Sequence, residues 1–250
     1  MVDAKTVSEL RQNTLDSTLG SVNLLTTQKC NLVNPALVSF IANIENKTGD
    51  NSTYCSGALI NNTTVITFGQ CVQDQFGQED PANISVYLSS NSLKLNVSKI
   101  ETTNFANDSS SIYDITYLTL ENEVTENEAN PINIFGGQLK NNQRSWVAGF
   151  IEEQEDVMLN QIFSSAILIT LNNTTSNVNG NTTANQGYIT AKGKRRSLCQ
   201  HVPGAPVLIF VNGTYDLIGL EAQALFFQRK TDHLEGDPIY KIARIYETEL

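Results

Sequence analysis

Cys199-Gln200-His201-Val202-Pro203-Gly204-Ala205-Pro206-Val207-Leu208 is the stretch that decides how this chain is read. Its last three residues open an apolar run, Pro206 to Val211, and a second run follows at Tyr215 to Leu220. Upstream, short alternating apolar segments recur at Ala36 to Ala42, Ser56 to Phe68, Ile84 to Leu88, Leu93 to Val97, Ile115 to Leu120, Trp146 to Ile151 and Phe163 to Leu171. Turn residues separate them, the pattern of an antiparallel all-β protein. Loops rich in Asn, Ser, Thr, Gly and Asp lie at Asn46 to Thr53, Thr103 to Ser111 and Asn172 to Gln186. The first twenty residues read as a short helix or a loose extension. The tail from Pro238, with Tyr240, Ile242, Ala243, Ile245 and Tyr246, is expected to form an amphipathic helix opened by proline.

The 250 residues, 40% of them hydrophobic, suffice for one large all-β domain or two packed halves. A formal charge of −10 repels phosphate backbones and anionic lipid, so neither nucleic acid nor a membrane is an expected partner. No apolar run approaches the roughly 20 residues of a membrane-spanning helix, and Met1 to Gly20 is too polar for a signal peptide. Asn-x-Ser/Thr sequons at Asn46, Asn51, Asn61, Asn62, Asn83, Asn96, Asn107, Asn172, Asn173, Asn181 and Asn212 are about twice as many as composition alone would give. That excess points to the secretory route, with a leader already removed; a bias toward Asn is the competing source. Four cysteines, Cys30, Cys55, Cys71 and Cys199, are an even count that permits disulfides.

Four stretches, taken together, resemble the trypsin-like serine proteases. Tyr54-Cys55-Ser56-Gly57-Ala58-Leu59-Ile60, followed by Val65-Ile66-Thr67-Phe68-Gly69-Gln70-Cys71-Val72, is similar to the family's Cys-Gly-Gly-Ser-Leu-Ile and Val-Leu-Thr-Ala-Ala-His-Cys-Val. Tyr113-Asp114-Ile115-Thr116-Tyr117-Leu118-Thr119-Leu120 is similar to Asn-Asp-Ile-Ala-Leu-Leu-Lys-Leu, and Val147-Ala148-Gly149-Phe150 to Val-Ser-Gly-Trp. The opening stretch, Cys199 to Leu208, aligns without gaps to Cys-Gln-Gly-Asp-Ser-Gly-Gly-Pro-Val-Leu. The resemblance implies an all-β double antiparallel barrel of the trypsin/chymotrypsin type with a short C-terminal helix. Its parts would be an extension at 1–23, a first barrel at about 24–135, a second at about 136–237 and the helix at about 238–250. It also implies a disulfide between Cys55 and Cys71, sixteen positions apart. Cys30 and Cys199 lack the usual family partners, which leaves them free, bridging two chains or paired with each other; the last is preferred.

On the same alignment Gln70 stands for the catalytic histidine, Asp114 for the aspartate and Pro203 for the nucleophile. Acyl transfer in this family needs a hydroxyl, an imidazole, an orienting carboxylate and two backbone N–H donors for the oxyanion. Proline offers neither hydroxyl nor N–H, the amide of Gln70 is no base at neutral pH, and His201 replaces the glycine donor. Leu24-Leu25-Thr26-Thr27 stands where the activated N-terminus would be, after Asn23, and Val202 replaces the aspartate that would receive it. Ser197 falls at the base of the specificity pocket, and Leu220-Glu221-Ala222 along its wall.

The other candidates have plainer readings. Cys199 with His201 lacks an oxyanion hole, and His233 sits among charged residues. Glu152, Glu153, Glu155 and Asp156 lack calcium-loop spacing, and Lys192, Lys194, Arg195 and Arg196 read as a charged loop, with polyanion binding or dibasic processing as alternatives. No cysteine and histidine spacing suits zinc, so no metal or cofactor is expected. The expectation is a secreted, non-catalytic homologue that binds a protein partner as decoy, protease cofactor or inhibitor of another enzyme. Alternatives are a hydrolase with a displaced nucleophile in the same cleft, or a lectin- or adhesion-type β protein.

Overall fold

The computed structural model describes residues 31–48, 51–73, 77, 80–88, 93–103, 115–150, 152–153, 156–157, 161–170, 188–193, 202–225 and 239–245. The first 30 residues, Asp114, Cys199 and His201 are outside that set.

Six strands close the first barrel: β2 (Ile41–Thr48), β3 (Asn51–Asn61), β4 (Thr64–Phe68), β5 (Ile84–Leu88), β6 (Lys94–Thr102) and β7 (Ile115–Leu120), following β1 (Asn31–Val33) in the chain. Around the barrel the order is β2-β3-β4-β7-β6-β5, antiparallel throughout. The two-residue period of a strand turns Ile84, Val86 and Leu88 inward and leaves Ser85 and Tyr87 half-buried outside. Gly57 is required where β3 crosses β4, because a Cβ there would lie 2.6 Å from the Ile66 carbonyl oxygen.

The remaining strands are β8 (Asn133–Ile134), β9 (Arg144–Gly149), β10 (Glu152–Glu153), β11 (Asp156–Val157), β12 (Ile162–Thr170), β13 (Tyr188–Gly193), β14 (Pro206–Val211), β15 (Thr214–Leu225) and β16 (Ile239–Arg244). They make a second sheet ordered β1-β12-β13-β16-β15-β14-β9, with β8 added to β15 and β10 paired only with β11. β9 also pairs with β12, from Phe163 opposite Gly149 to Leu168 opposite Arg144, so six of these strands return on themselves. A core of Val147, Ile167, Ile169, Val207, Ile209 and Ile242 fills this sheet's interior.

Two sequence expectations need correcting. Residues 239–244 of the expected C-terminal helix are β16, hydrogen-bonded between β13 and β15. Ile242 and Ala243 are both 0% exposed, and a strand covered on both faces carries the same consecutive apolar residues that mimic a helical stripe. The β-branched Ile239 and Ile242 favour the sheet. Residues 246–250 lie outside the described set. Second, Asn31–Val33, assigned by position to the first barrel, is an edge of the second sheet, paired with β12.

Candidate functional site

β4 runs directly into a single 3-10 turn, Gly69–Cys71, that carries Gln70. The turn is fastened to β3 by a disulfide between Cys55 and Cys71, whose Cα atoms are 5.9 Å apart. Both cysteines are buried and Gln70 is half-exposed beside them. The expected pairing is therefore present.

The second segment, Val202 to Ala205, arrives from the other sheet and is held by backbone bonds. Val202 N–H donates to the Phe150 carbonyl at 3.0 Å, Gly204 N–H to that of Glu221 at 3.1 Å, and Glu221 N–H to that of Ala205 at 2.8 Å. Gly204 has φ +85°, a conformation that side chains with a Cβ seldom adopt. Its missing Cβ also makes room, since one would collide with the carbonyl oxygen of Ser56 and approach Thr67 Oγ1 to 2.8 Å.

Ser56 joins the two segments. Its N–H donates to the Pro203 carbonyl at 2.8 Å, and its carbonyl accepts from Thr67 Oγ1 at 2.9 Å. Its Oγ accepts from the Phe150 N–H at 3.1 Å. Gly149 is small for the same reason, because a Cβ there would stand 2.9 Å from Ser56 Oγ. Thus β3 and β4 of the first barrel, residues 149–150 at the end of β9 and the turn before β14 meet around one serine that is 0% exposed. The sequence quoted Ser56 in its motif without a role; its signal was a small polar residue immediately after the disulfide cysteine.

The arrangement places the backbone at Pro203 within one hydrogen bond of Ser56, next to the cysteine that pins Gln70. Pro203 is exposed at the turn; Val202 and Glu221 are buried, each 3% exposed. β7 begins at Ile115, opposite Phe68, two residues before Gln70. Asp114, His201, Ser197, Cys30, Cys199, residues 23–27 and the run 194–196 lie outside the described residues, and the pairing of Cys30 with Cys199 lies there with them. Among the described residues, no group of three or more His, Cys, Asp or Glu side chains converges on a metal position. Among the same residues, no helix is long and apolar enough to cross a membrane.

The sequons divide by position. Asn61, Asn62, Asn96 and Asn212 are exposed, Asn83 is half-buried and Asn51 opens β3. Asn46 is the exception: it is 4% exposed, faces inward with Ala42 and Ile44 on β2, and donates from Nδ2 to the Gln73 carbonyl at 3.3 Å. Its burial in the folded barrel separates it from the exposed sequons. Asn107, Asn172, Asn173 and Asn181 lie outside the described residues.

A family model described as Trypsin matches residues 31–221. Among solved structures, the chain is similar to the scabies mite inactivated protease paralogue S-I1, with a TM-score of 0.59 and 16% identity. That similarity covers 84% of this chain and 91% of the mite chain. No curated protein matches the sequence. The family match spans both segments that meet at Ser56, from before β2 through Glu221 on β15, and the chain accordingly belongs to the trypsin family.

Proposed function

We propose that this chain is a secreted, non-catalytic member of its family that acts by binding a protein partner, as a decoy, as a cofactor of an active protease or as an inhibitor of another enzyme. The observation that carries the reading is Pro203. The turn it occupies keeps its backbone anchors to Ser56 and Glu221, while the residue supplies neither a hydroxyl nor an N–H. Gln70 holds the position next to the disulfide and offers an amide in place of a base. A fold preserved around an absent reaction suits a surface that binds. The mite paralogue, described as inactivated, is a precedent for this architecture without catalysis. Membership of the trypsin family removes the alternative in which the motif matches are fortuitous in a lectin or adhesion protein.

Fluorophosphonate labelling tests the inactivity, with trypsin as positive control. No labelling and no peptide hydrolysis are expected, and Pro203→Ser alone restores neither, because triad members act as a unit and Gln70 provides no base. Stoichiometric labelling of the wild type would establish a displaced nucleophile and sink the proposal. Binding is tested by cross-linking in the native secretion followed by mass spectrometry, where failure to find any stoichiometric partner overturns it.

A further inference from the structure

We infer that Asn61 carries an N-linked glycan whose first sugars lie in a cavity on the outer wall of the first barrel, against the ring of Tyr117. This rests on the reading that the chain passes through the secretory route. Asn61 ends β3, and Asn62 and Thr63 make the two-residue connection to β4, with Asn61 opposite Thr64. Asn61 Oδ1 accepts from the Thr63 N–H at 2.9 Å and from Thr63 Oγ1 at 3.1 Å. The threonine of the sequon thus holds the amide oxygen, and Nδ2 has no hydrogen-bond partner among the described residues.

Beside it is a cavity of about 370 Å³, at the small end of the roughly 300–1,000 Å³ usual for ligand pockets. Asn61, Thr64, Glu101, Thr103, Tyr117 and Thr119 line it. β7 alternates so that Leu118 and Leu120 enter the core while Tyr117 and Thr119 stand half-buried on the outside. An aromatic face flanked by the hydroxyls of Thr64 and Thr119, with Thr103 Oγ1 donating to the Ile115 carbonyl at 3.1 Å and Glu101 paired with Lys99 at 2.7 Å, matches a pyranose, whose C–H face packs on the ring and whose hydroxyls and acetamide need polar partners.

Asn61 is set apart from two other exposed sequons. Asn62 does not line the cavity, and Asn96 has committed Nδ2 to Glu121 at 3.0 Å. In the modification, Nδ2 bonds to the anomeric carbon of the first sugar and loses a proton. That carbon's bond to the diphosphate of a lipid-carried oligosaccharide breaks, and the diphosphate leaves with the electron pair.

The test is the full chain expressed behind a secretion leader in a eukaryotic host, mapped by enzymatic glycan release in ¹⁸O-water. Label is expected at Asn61 and not at Asn62. Thr63→Val, which destroys the sequon of Asn61 alone, loses the glycan; Asn62→Gln, which destroys that of Asn62 alone, keeps it. Tyr117→Thr is expected to lower the Tm of the glycosylated chain by about 2–4 °C more than that of the enzymatically deglycosylated chain, and Tyr117→Phe to leave the two forms equally affected. Glycans at other sequons with none at Asn61 overturn this inference alone, as does an equal Tm loss in both forms of Tyr117→Thr. A chain with no glycan anywhere overturns it together with the secretory reading.

Discussion

In the first barrel Ser56, Thr67 and Asn46 bury polar side chains, and each makes a hydrogen bond: to Phe150, to Ser56 and to Gln73. In the second sheet Ser145 and Ser165 bury hydroxyls on β9 and β12 that meet no partner among the described residues. The first barrel is not free of such groups, since Asn43 Oδ1 is also buried without a partner. Still, two of the bonded groups, Ser56 and Thr67, lie where the barrels join, beside the backbone of the turn at Pro203. A bonded buried group is expensive to lose because its partner is stranded, whereas an unbonded hydroxyl already carries its desolvation penalty.

The comparison breaks most severely at Gly204. Gly204→Ala combines a forbidden φ with a collision against the Ser56 carbonyl, so a loss of about 2–5 kcal/mol is expected, or roughly 5–15 °C in Tm. Thermal denaturation measures it; a variant as stable as the wild type would show that the turn is not locked onto β3. Next is the disulfide. Replacing Cys55 and Cys71 together by alanine releases a loop of 16-residue separation and should cost about 2–4 kcal/mol, read from urea midpoints under non-reducing conditions.

A matched pair of serine variants then sharpens the contrast. Ser56→Ala strands the buried N–H of Phe150 and is expected to cost about 1–3 kcal/mol. Ser165→Ala removes a hydroxyl with nothing to lose, and its effect should lie between zero and a gain of about 1 kcal/mol. If Ser165→Ala proves the costlier of the two, the distinction between the two regions fails.

Much of this was legible in advance, and what was not has physical causes. The strands around Ser56 to Phe68, Ile84 to Leu88 and Pro206 to Leu220 follow from alternation, and the disulfide from the resemblance. The strand at Ile239–Arg244 was misread because burial on both faces erases alternation, leaving no period to tell it from a helix. Asn46 looked like a loop sequon because β2 continues to Thr48 through polar residues that composition assigns to a turn. At the site, Gln70 and Pro203 were found by position in a motif. Ser56 was not, because its role depends on contacts with Phe150 and Pro203, 94 and 147 residues away in sequence, which no local pattern encodes.

The smallest expected effect separates the two regions by pH. Burial, then the hydrogen bond and charge of Glu45, hold the Tyr87 phenol on β5 above its ordinary value near 10, with the hydroxyl donating to Glu45 Oε2 at 3.0 Å. On β15 burial raises the Asp216 carboxyl above its ordinary value near 4. In both cases the folded chain binds the proton more tightly than the unfolded one, so stability is lost as pH rises through the folded value. The windows lie at opposite ends: for Asp216 the loss begins as pH rises past the ordinary aspartate value near 4, for Tyr87 only above about pH 10. Asp216→Asn should therefore gain on the wild type as pH rises through the range in which Asp216 ionises, and then run parallel to it. Tyr87→Phe should start lower, having lost the bond to Glu45, and close the gap only in alkali. Both groups are half-exposed, and solvent screening keeps each change to about a degree in Tm. Profiles of Tm against pH for the three chains decide it, and an Asp216→Asn curve that falls below the wild type as pH rises would reverse the sign assigned to burial at that position.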